Sequence, residues 1–138
     1  MPTFASTIGT YAEKLPSGGT LKISATTWEI EYYFPGPDLR YNGVLLRIPG
    51  GRVESFIAAL QQNWDEYQSL TTTIPKGGSF VKPGRENMVI YVGGPFDGVC
   101  LISCEGQMNS YSAIAKTVES YRYAIDRATA MQSLLAHL

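Results

Sequence analysis

The sequence predicts one α+β domain, with helices packed on a single antiparallel sheet of four to five strands. Short runs of β-branched and aromatic residues are separated by Gly, Pro and Asp, a pattern typical of hairpins. Other segments carry apolar residues at helical spacing. The chain has 138 residues, 44% of them hydrophobic. This length and composition are typical of a single globular domain, which we predict over residues 1–138.

The first predicted element is a short helix over residues 3–15. Apolar side chains recur there at intervals of three or four, namely Phe4, Ile8, Tyr11 and Leu15. Residues 16–19, with one proline and two glycines, end this helix.

Two strands are predicted next. Residues 20–34 alternate between apolar and polar side chains, and the alternation changes phase near residues 25–27. Since a shift of one residue moves side chains to the other face, a bulge or bend is expected there. Pro35–Asp38 forms a stiff turn. The apolar run within Arg40–Pro49 then returns as the partner strand.

The segment from Arg52 to about Leu70 is the clearest amphipathic helix of the chain. A loop rich in glycine and cations follows over residues 76–87, with a short edge strand expected at Ser79–Lys82. Met88–Val92 and Val99–Cys104 flank a Gly-rich turn and predict a hairpin at the centre of the sheet. Both runs are apolar almost throughout, as in strands covered on both faces, or covered on one face and screened on the other.

A long final helix, packed on the sheet, is predicted from Asn109 or Ser110 to about Ala136. The resulting element order is α-β-β-α-β-β-α, and no internal repeat is evident. Cys100 and Cys104 lie on one predicted strand, about 13 Å apart, which is too far for a disulfide. They are expected to be reduced, buried thiols.

Composition argues against several classes of function. The net charge is −1 and the charged fraction is 17%, without the basic field of strong nucleic-acid binders. The single histidine, His137, lies close to the end of the sequence, where few neighbours can hold it in place. We therefore predict no catalytic residues, no metal ligands and no cofactor. Without a membrane span or a secretory signal, and with reduced cysteines, the protein is expected to be cytoplasmic.

Three features supply candidate binding residues. Aromatic residues cluster at the first hairpin and recur on the last helix, and such residues favour interfaces or stack nucleobases. Glycines and cations share the loop before Met88, where backbone N–H groups could approach an anion, although an exposed mobile loop has the same composition. A phenylalanine lies in the turn of the central hairpin. The predicted ligand- or partner-binding residues are Trp28, Tyr33, Arg40, Tyr41, Lys76, Lys82, Arg85, Phe96 and Tyr123.

These features leave three functions open. The first is a non-catalytic protein-binding module that acts as a homodimer and also binds another protein. Its element order resembles that of small dimeric secretion chaperones, and its size and acidic pI resemble those of immunity or inhibitor proteins. The second is a binder of a small anionic ligand or single-stranded nucleic acid, through the basic loop and the aromatic sheet face. The third is an enzyme using Glu29 and Glu31, although alternation alone predicts that both face solvent.

Overall fold

The computed structural model of the protein describes residues 3–4, 9–34, 43–86, 88–95, 97–103, 106–110 and 114–137. Within these residues the fold is mixed α+β, as predicted, but it has two antiparallel sheets instead of one. The strands are β1 (Thr3–Phe4), β2 (Thr10–Lys14), β3 (Thr20–Ser24), β4 (Trp28–Phe34), β5 (Gly43–Pro49), β6 (Phe80–Pro83), β7 (Met88–Val92), β8 (Gly98–Ser103) and β9 (Gly106–Ser110). The helices are α1 (Val53–Thr73) and α2 (Ile114–Leu135).

The predicted N-terminal helix is wrong, because this region forms β1 and β2. Gly9 has a φ of +97°, a left-handed conformation that does not continue a helix. From Thr10 onward the side chains alternate between two faces. Tyr11 pairs with Ile23, and Glu13 pairs with Leu21 on β3. The apolar spacing of three and four in this segment is therefore coincidental, and a strand with a period of two forms instead.

The long strand predicted over residues 20–34 is two strands, β3 and β4, joined by a tight turn. Ser24 closes the turn: its N–H donates to the carbonyl of Thr27 at 2.8 Å, and its hydroxyl accepts the N–H of Thr27 at 3.0 Å. The change of phase near residues 25–27 thus marks a hairpin turn, not the predicted bulge or bend. The predicted pairing of the next strand is confirmed, since β5 pairs with β4.

The first compact unit comprises Met1–Val53 and Glu119–Leu138. Its sheet has the order β1-β2-β3-β4-β5. The C-terminal part of α2 packs on this sheet, and the hydroxyls of Tyr32 and Tyr121 lie 2.5 Å apart in the buried interior. The buried side chains of this core include Leu21, Ile23, Ile30, Leu46, Ile48, Ala124, Ala128, Met131 and Leu135.

The second compact unit, Glu54–Val118, contains α1 and the sheet β6-β7-β8-β9. The predicted amphipathic helix, the central hairpin and the short edge strand are all confirmed here, as α1, as the pair β7–β8 and as β6. The predicted start of the last helix at Asn109 or Ser110 is wrong, because Gly106–Ser110 pairs with β8 as β9. Phe56, Ile57, Leu60, Met88, Ile90, Val99 and Leu101 are buried.

The order of elements repeats along the chain. A run of antiparallel strands precedes α1, and a second run precedes α2, so the predicted order α-β-β-α-β-β-α matches only in part: strands replace its first helix, and each run has more than two strands. Neither helix belongs mainly to the same unit as the strands that precede it. The helix α1 belongs with the second sheet, and most of α2 belongs with the first sheet. Whether the two units fold as the single predicted domain stays a prediction.

Candidate functional site

The first sheet has an inner face against α2 and an opposite outer face. Lys22 pairs across the strands with Glu29, and Glu31 pairs with Arg47, so these four charged side chains share the outer face. Paired residues of antiparallel strands lie on the same face, and successive residues of one strand lie on opposite faces. The outer face is therefore polar and charged, whereas Ile30 and its cross-strand neighbours form the inner core.

Glu31 is buried, although the sequence predicts that it faces solvent. Its side chain is 1% exposed and contacts two cations: Lys22 Nζ lies 2.6 Å from Oε1, and Arg47 Nε lies 2.9 Å from Oε2. The long side chains of Lys22 and Arg47 shield the carboxylate while remaining 46% and 62% exposed. The alternation of polar and apolar residues could not predict this burial, because it does not show that cations of neighbouring strands lie over the carboxylate.

A groove of about 580 Å³ lies on this sheet beside the ion-pair cluster. Its volume falls in the range of small-ligand sites, about 300–1,000 Å³. The described residues that line it come from β2, β3, β4 and β5 and from the turn after β3; they are Thr10, Tyr11, Ala12, Lys22, Ile23, Ser24, Thr27, Trp28, Glu29 and Pro49. The groove thus combines hydroxyl groups, one ammonium and one carboxylate, all from the outer face of the sheet.

A second polar cluster joins β2 to α2. The carboxylate of Glu13 accepts hydrogen bonds from the hydroxyl of Tyr11 at 2.8 Å, from Arg127 Nε at 3.1 Å and from the hydroxyl of Tyr123. Arg127 also donates to the Tyr11 hydroxyl at 3.0 Å, and its guanidinium lies 5.5 Å from the centre of the Tyr11 ring. These contacts hold helix and strand together, and Tyr123 remains 42% exposed.

The protonation of this cluster follows from its contacts. Burial raises the pKa of Glu13, but the hydrogen bonds from Tyr123, Tyr11 and Arg127 favour the carboxylate and bring the pKa below its ordinary value. Burial raises the pKa of Tyr11, and the carboxylate of Glu13 raises it further. The hydrogen bond to Glu13 is the main reason that the pKa of Tyr123 is raised. The cluster therefore holds an ionised Glu13 between two neutral tyrosines and a cation.

The second sheet has an outer face of different chemistry. Val81 pairs with Tyr91, and Pro83 pairs with Val89, on the side opposite the buried Ile90. Val81 is 58% exposed, Pro83 is exposed, and Val89 and Tyr91 are half-buried. Among the side chains that the structure describes on this face, none is charged. We call these four residues the apolar face.

The basic loop is held to α1 at several points. Asn63 is fully buried: its Oδ1 accepts the N–H of Arg85 at 2.9 Å, and its Nδ2 donates to the carbonyl of Arg85 at 3.1 Å. Lys82 forms an ion pair with Glu66. The interpretation as a mobile loop therefore does not fit residues 82–85, and one of the three predicted cations is already neutralised.

The turn of the central hairpin is also tied to α1. Asp97 accepts the N–H of Gly93 at 2.8 Å through one oxygen and the hydroxyl of Tyr67 at 2.8 Å through the other. Burial raises the pKa of Tyr67, and the bond to Asp97 adds to the effect. Asp97 thus orders the turn, and its role here is structural.

The predicted site residues that the structure describes belong to different local clusters within each unit. Trp28 lines the groove, Tyr123 joins the Glu13 cluster, Lys82 pairs with Glu66, and Lys76 and Arg85 are exposed on the loop. Tyr33 belongs to β4, but its side chain lies outside the described part of the chain, as do the whole residues Arg40, Tyr41 and Phe96. The predicted burial is confirmed for Cys100, whereas Cys104 lies outside the described residues.

Sequence reasoning missed several residues of these sites, namely Tyr11, Glu13, Lys22, Arg47, Asn63 and Arg127. Recognising Thr10–Lys14 as a strand would have placed Tyr11 and Glu13 on one face. No pattern in the sequence marks Asn63, because a polar residue in an amphipathic helix usually faces water.

Comparisons of the chain with protein-family models, with curated proteins and with solved structures found no match. In the described part of the chain, no group of three or more His, Cys, Asp or Glu side chains could hold a metal ion. Neither of the described helices has the length and apolar character needed to cross a membrane.

Proposed function

We propose that the protein is a non-catalytic protein-binding module that forms a homodimer through the apolar face of its second sheet. The observation that carries this proposal is the exposure of Val81, at 58%, within an uncharged strip of Pro83, Val89 and Tyr91. The outward positions of a solvated antiparallel sheet are usually polar. A contiguous apolar strip at such positions is typical of a surface that contacts another protein.

A second copy of the chain is the occupant that fits best. A two-fold interface places the same patch on both subunits, and an apolar, uncharged patch is complementary to itself. A partner chosen by opposite charge would instead require charged side chains on this face. An inhibitor-like, immunity or chaperone-like role toward another protein, and a cytoplasmic location, remain predictions within this proposal.

The dimer is expected to form through the face of the sheet and not through its edge. Gly84 N–H donates to the carbonyl of Met88 at 2.9 Å, which fixes the alternation of hydrogen bonds along β6. The N–H and C=O groups of successive residues point alternately toward and away from the partner strand. Since those of Gly84 point toward β7, the backbone groups of Val81 and Pro83 point away from it. Pro83 has no N–H to give to another strand, and Lys82 lies beside it, two features that discourage edge pairing.

The proposal is tested by placing a charge on the apolar face. Val81→Glu would bury a carboxylate in the interface, so the mass measured by light scattering should fall from twice the 15.1 kDa of one chain to a single chain. Leu134→Glu is a matched control, because Leu134 is 52% exposed on α2, outside the second unit. It should leave the dimer intact.

Circular dichroism of both variants checks that each is folded. A folded Val81→Glu variant that remains dimeric would contradict the proposed interface. Dissociation by Leu134→Glu alone would move the interface to α2.

Binding of an anionic ligand or of single-stranded nucleic acid has less support in the contacts. Lys82 pairs with Glu66, and both Lys22 and Arg47 contact Glu31, so these cations are already compensated. Titration of a labelled oligonucleotide at two salt concentrations tests this alternative. Because phosphate contacts are strongest at low salt, saturable binding that weakens with salt would favour it over the protein-binding module.

A carboxylate enzyme is supported still less. Glu29 and Glu31 share a face, but Glu31 is 1% exposed and contacts two cations. A general acid or nucleophile must reach its substrate, and this carboxylate is covered by Lys22 and Arg47.

A further inference from the structure

The helix α2 carries an exposed stripe outside the face that packs on the first sheet. Its buried residues recur at intervals of three and four; they are Tyr121, Ala124, Ala128, Met131 and Leu135. Tyr123 is 42% exposed and Leu134 is 52% exposed on the same helix. Because a helix has about 3.6 residues per turn, the positions 123, 127, 130 and 134 lie along one line, about 16 Å long. We call Tyr123, Arg127, Ala130 and Leu134 the α2 stripe.

Two side chains of the α2 stripe are held in place by one carboxylate. Glu13 accepts hydrogen bonds from the hydroxyl of Tyr123 and from Arg127 Nε, the second at 3.1 Å. Both side chains remain accessible, and Arg127 is 36% exposed. Tyrosine and arginine are among the residues that contribute most to binding at protein interfaces. Because these two are already ordered, less conformational entropy is lost when a partner contacts them.

The solvent side of the α2 stripe is acidic. Glu119 and Asp126 are exposed, and they lie four residues before and three residues after Tyr123, so both are neighbours of its ring on the helix surface. Arg122 is exposed as well but, as the residue next to Tyr123, it points about 100° away around the helix. On the other side of the stripe, Arg127 is paired with Glu13. A partner that covers the stripe therefore meets apolar side chains beside two carboxylates.

We propose that the α2 stripe binds an amphipathic helix of another protein, one whose apolar face is flanked by lysine or arginine. The apolar side chains of that helix pack on Tyr123 and Leu134, and its basic flank lies against the two carboxylates. A second copy of α2 fits less well, because it would bring the same acidic flank to the contact. This inference rests on the protein-binding role proposed above but not on the dimer, since the stripe belongs to the first unit.

Titration of the full chain into two labelled peptides, followed by fluorescence anisotropy, tests the chemistry of the partner. Both peptides have about 18 residues with leucines at helical spacing; one carries lysines at the flanking positions, and the other carries glutamates. The lysine peptide should bind saturably, and the glutamate peptide about tenfold more weakly or not at all. Failure of the lysine peptide to bind, or equal binding of the two peptides, would overturn the proposal.

Leu134→Ser tests the apolar contact, because it shortens an exposed side chain of the α2 stripe without changing the charge. It should weaken binding of the lysine peptide about tenfold. Val81→Ser is the matched control, since it makes the same kind of change on the apolar face of the second unit. It should leave peptide binding unchanged. Equal affinities of the Leu134→Ser variant and the wild type would overturn the assignment.

Asp126→Lys tests the acidic flank. It should weaken binding of the lysine peptide and strengthen binding of the glutamate peptide. Asp65→Lys changes the net charge by the same amount at an exposed position of α1, and should alter neither affinity. If both variants have the same effect, general attraction between charges explains the binding and the proposed site is wrong.

The peptide titrations and the mass of the chain separate this inference from the proposed dimer. A monomeric chain that binds the lysine peptide would contradict the dimer alone. A dimeric chain that does not bind it would contradict the α2 stripe alone.

Discussion

Two carboxylates of the first sheet are stabilised in different ways. Glu31 contacts two cations on the outer face, whereas Glu13 receives hydrogen bonds from two tyrosines and an arginine on the inner face. The sequence contains all these residues but not their distances. Alternation within β4 could be predicted, but two of the three partners of Glu13, Tyr123 and Arg127, lie more than a hundred residues away on α2. Such a cluster cannot be inferred from local spacing.

The Glu13 cluster should make stability depend on acid pH. The pKa of Glu13 in the folded protein lies below the value of about 4.3 expected in the unfolded chain. The cluster therefore stabilises the fold above that pH, and the contribution is lost as the pH falls through the lower folded-state pKa. Urea unfolding of Glu13→Gln and of the wild type should show a smaller acid loss of stability in the variant.

The matched control for this experiment is Glu119→Gln, at an exposed position on α2, the helix that carries Tyr123 and Arg127. It should retain the acid dependence of the wild type. If the Glu13→Gln variant loses as much stability at acid pH as the wild type does, the cluster does not contribute to the pH dependence of stability.

At the scale of elements, segments with a strong apolar pattern were predictable and strands of mainly polar sequence were not. The helix α1 and the hairpin β7–β8 follow from their apolar spacing and from the Gly-rich turn. The strands β2 and β9 were missed because their sequences, TYAEK and GQMNS, lack the run of β-branched and aromatic residues that marks β7 and β8. Which helix face contacts which sheet depends on residues such as Asn63, which no periodicity identifies.

Asn63 is expected to be essential for the attachment of α1 to the strand β6. Asn63→Ala removes both hydrogen bonds to the backbone of Arg85 and leaves that N–H and carbonyl to find other partners. Because Arg85 is exposed, water can replace these partners, and the two lost hydrogen bonds together are expected to contribute about 1–3 kcal/mol. The free energy of unfolding, measured by urea titration, should fall by about that amount or more.

Gln62→Ala provides the comparison, because Gln62 is exposed on the same helix and neighbours Asn63 in sequence. Its effect should stay within about 0.5 kcal/mol. If both variants lose the same stability, helix propensity would explain the loss, and the two hydrogen bonds between Asn63 and the backbone of Arg85 would not.

At the scale of the whole molecule, the chain twice forms antiparallel strands followed by a helix. The first unit is discontinuous in sequence, since it combines Met1–Val53 with Glu119–Leu138. The sequence could indicate the α+β class and its antiparallel pairing, because both depend on local patterns. It could not show that the strands divide into two sheets, because that division is decided by contacts between distant segments.

The central claim concerns the apolar face, and the mass of the wild-type chain tests it most directly. Sedimentation equilibrium at several protein concentrations, in low and high salt, should give a dimer of twice the 15.1 kDa chain mass. An interface formed by Val81 and its uncharged neighbours should not weaken with salt, since screening acts on charges. A monomer at every concentration, or a dimer that dissociates in high salt, would contradict the claim.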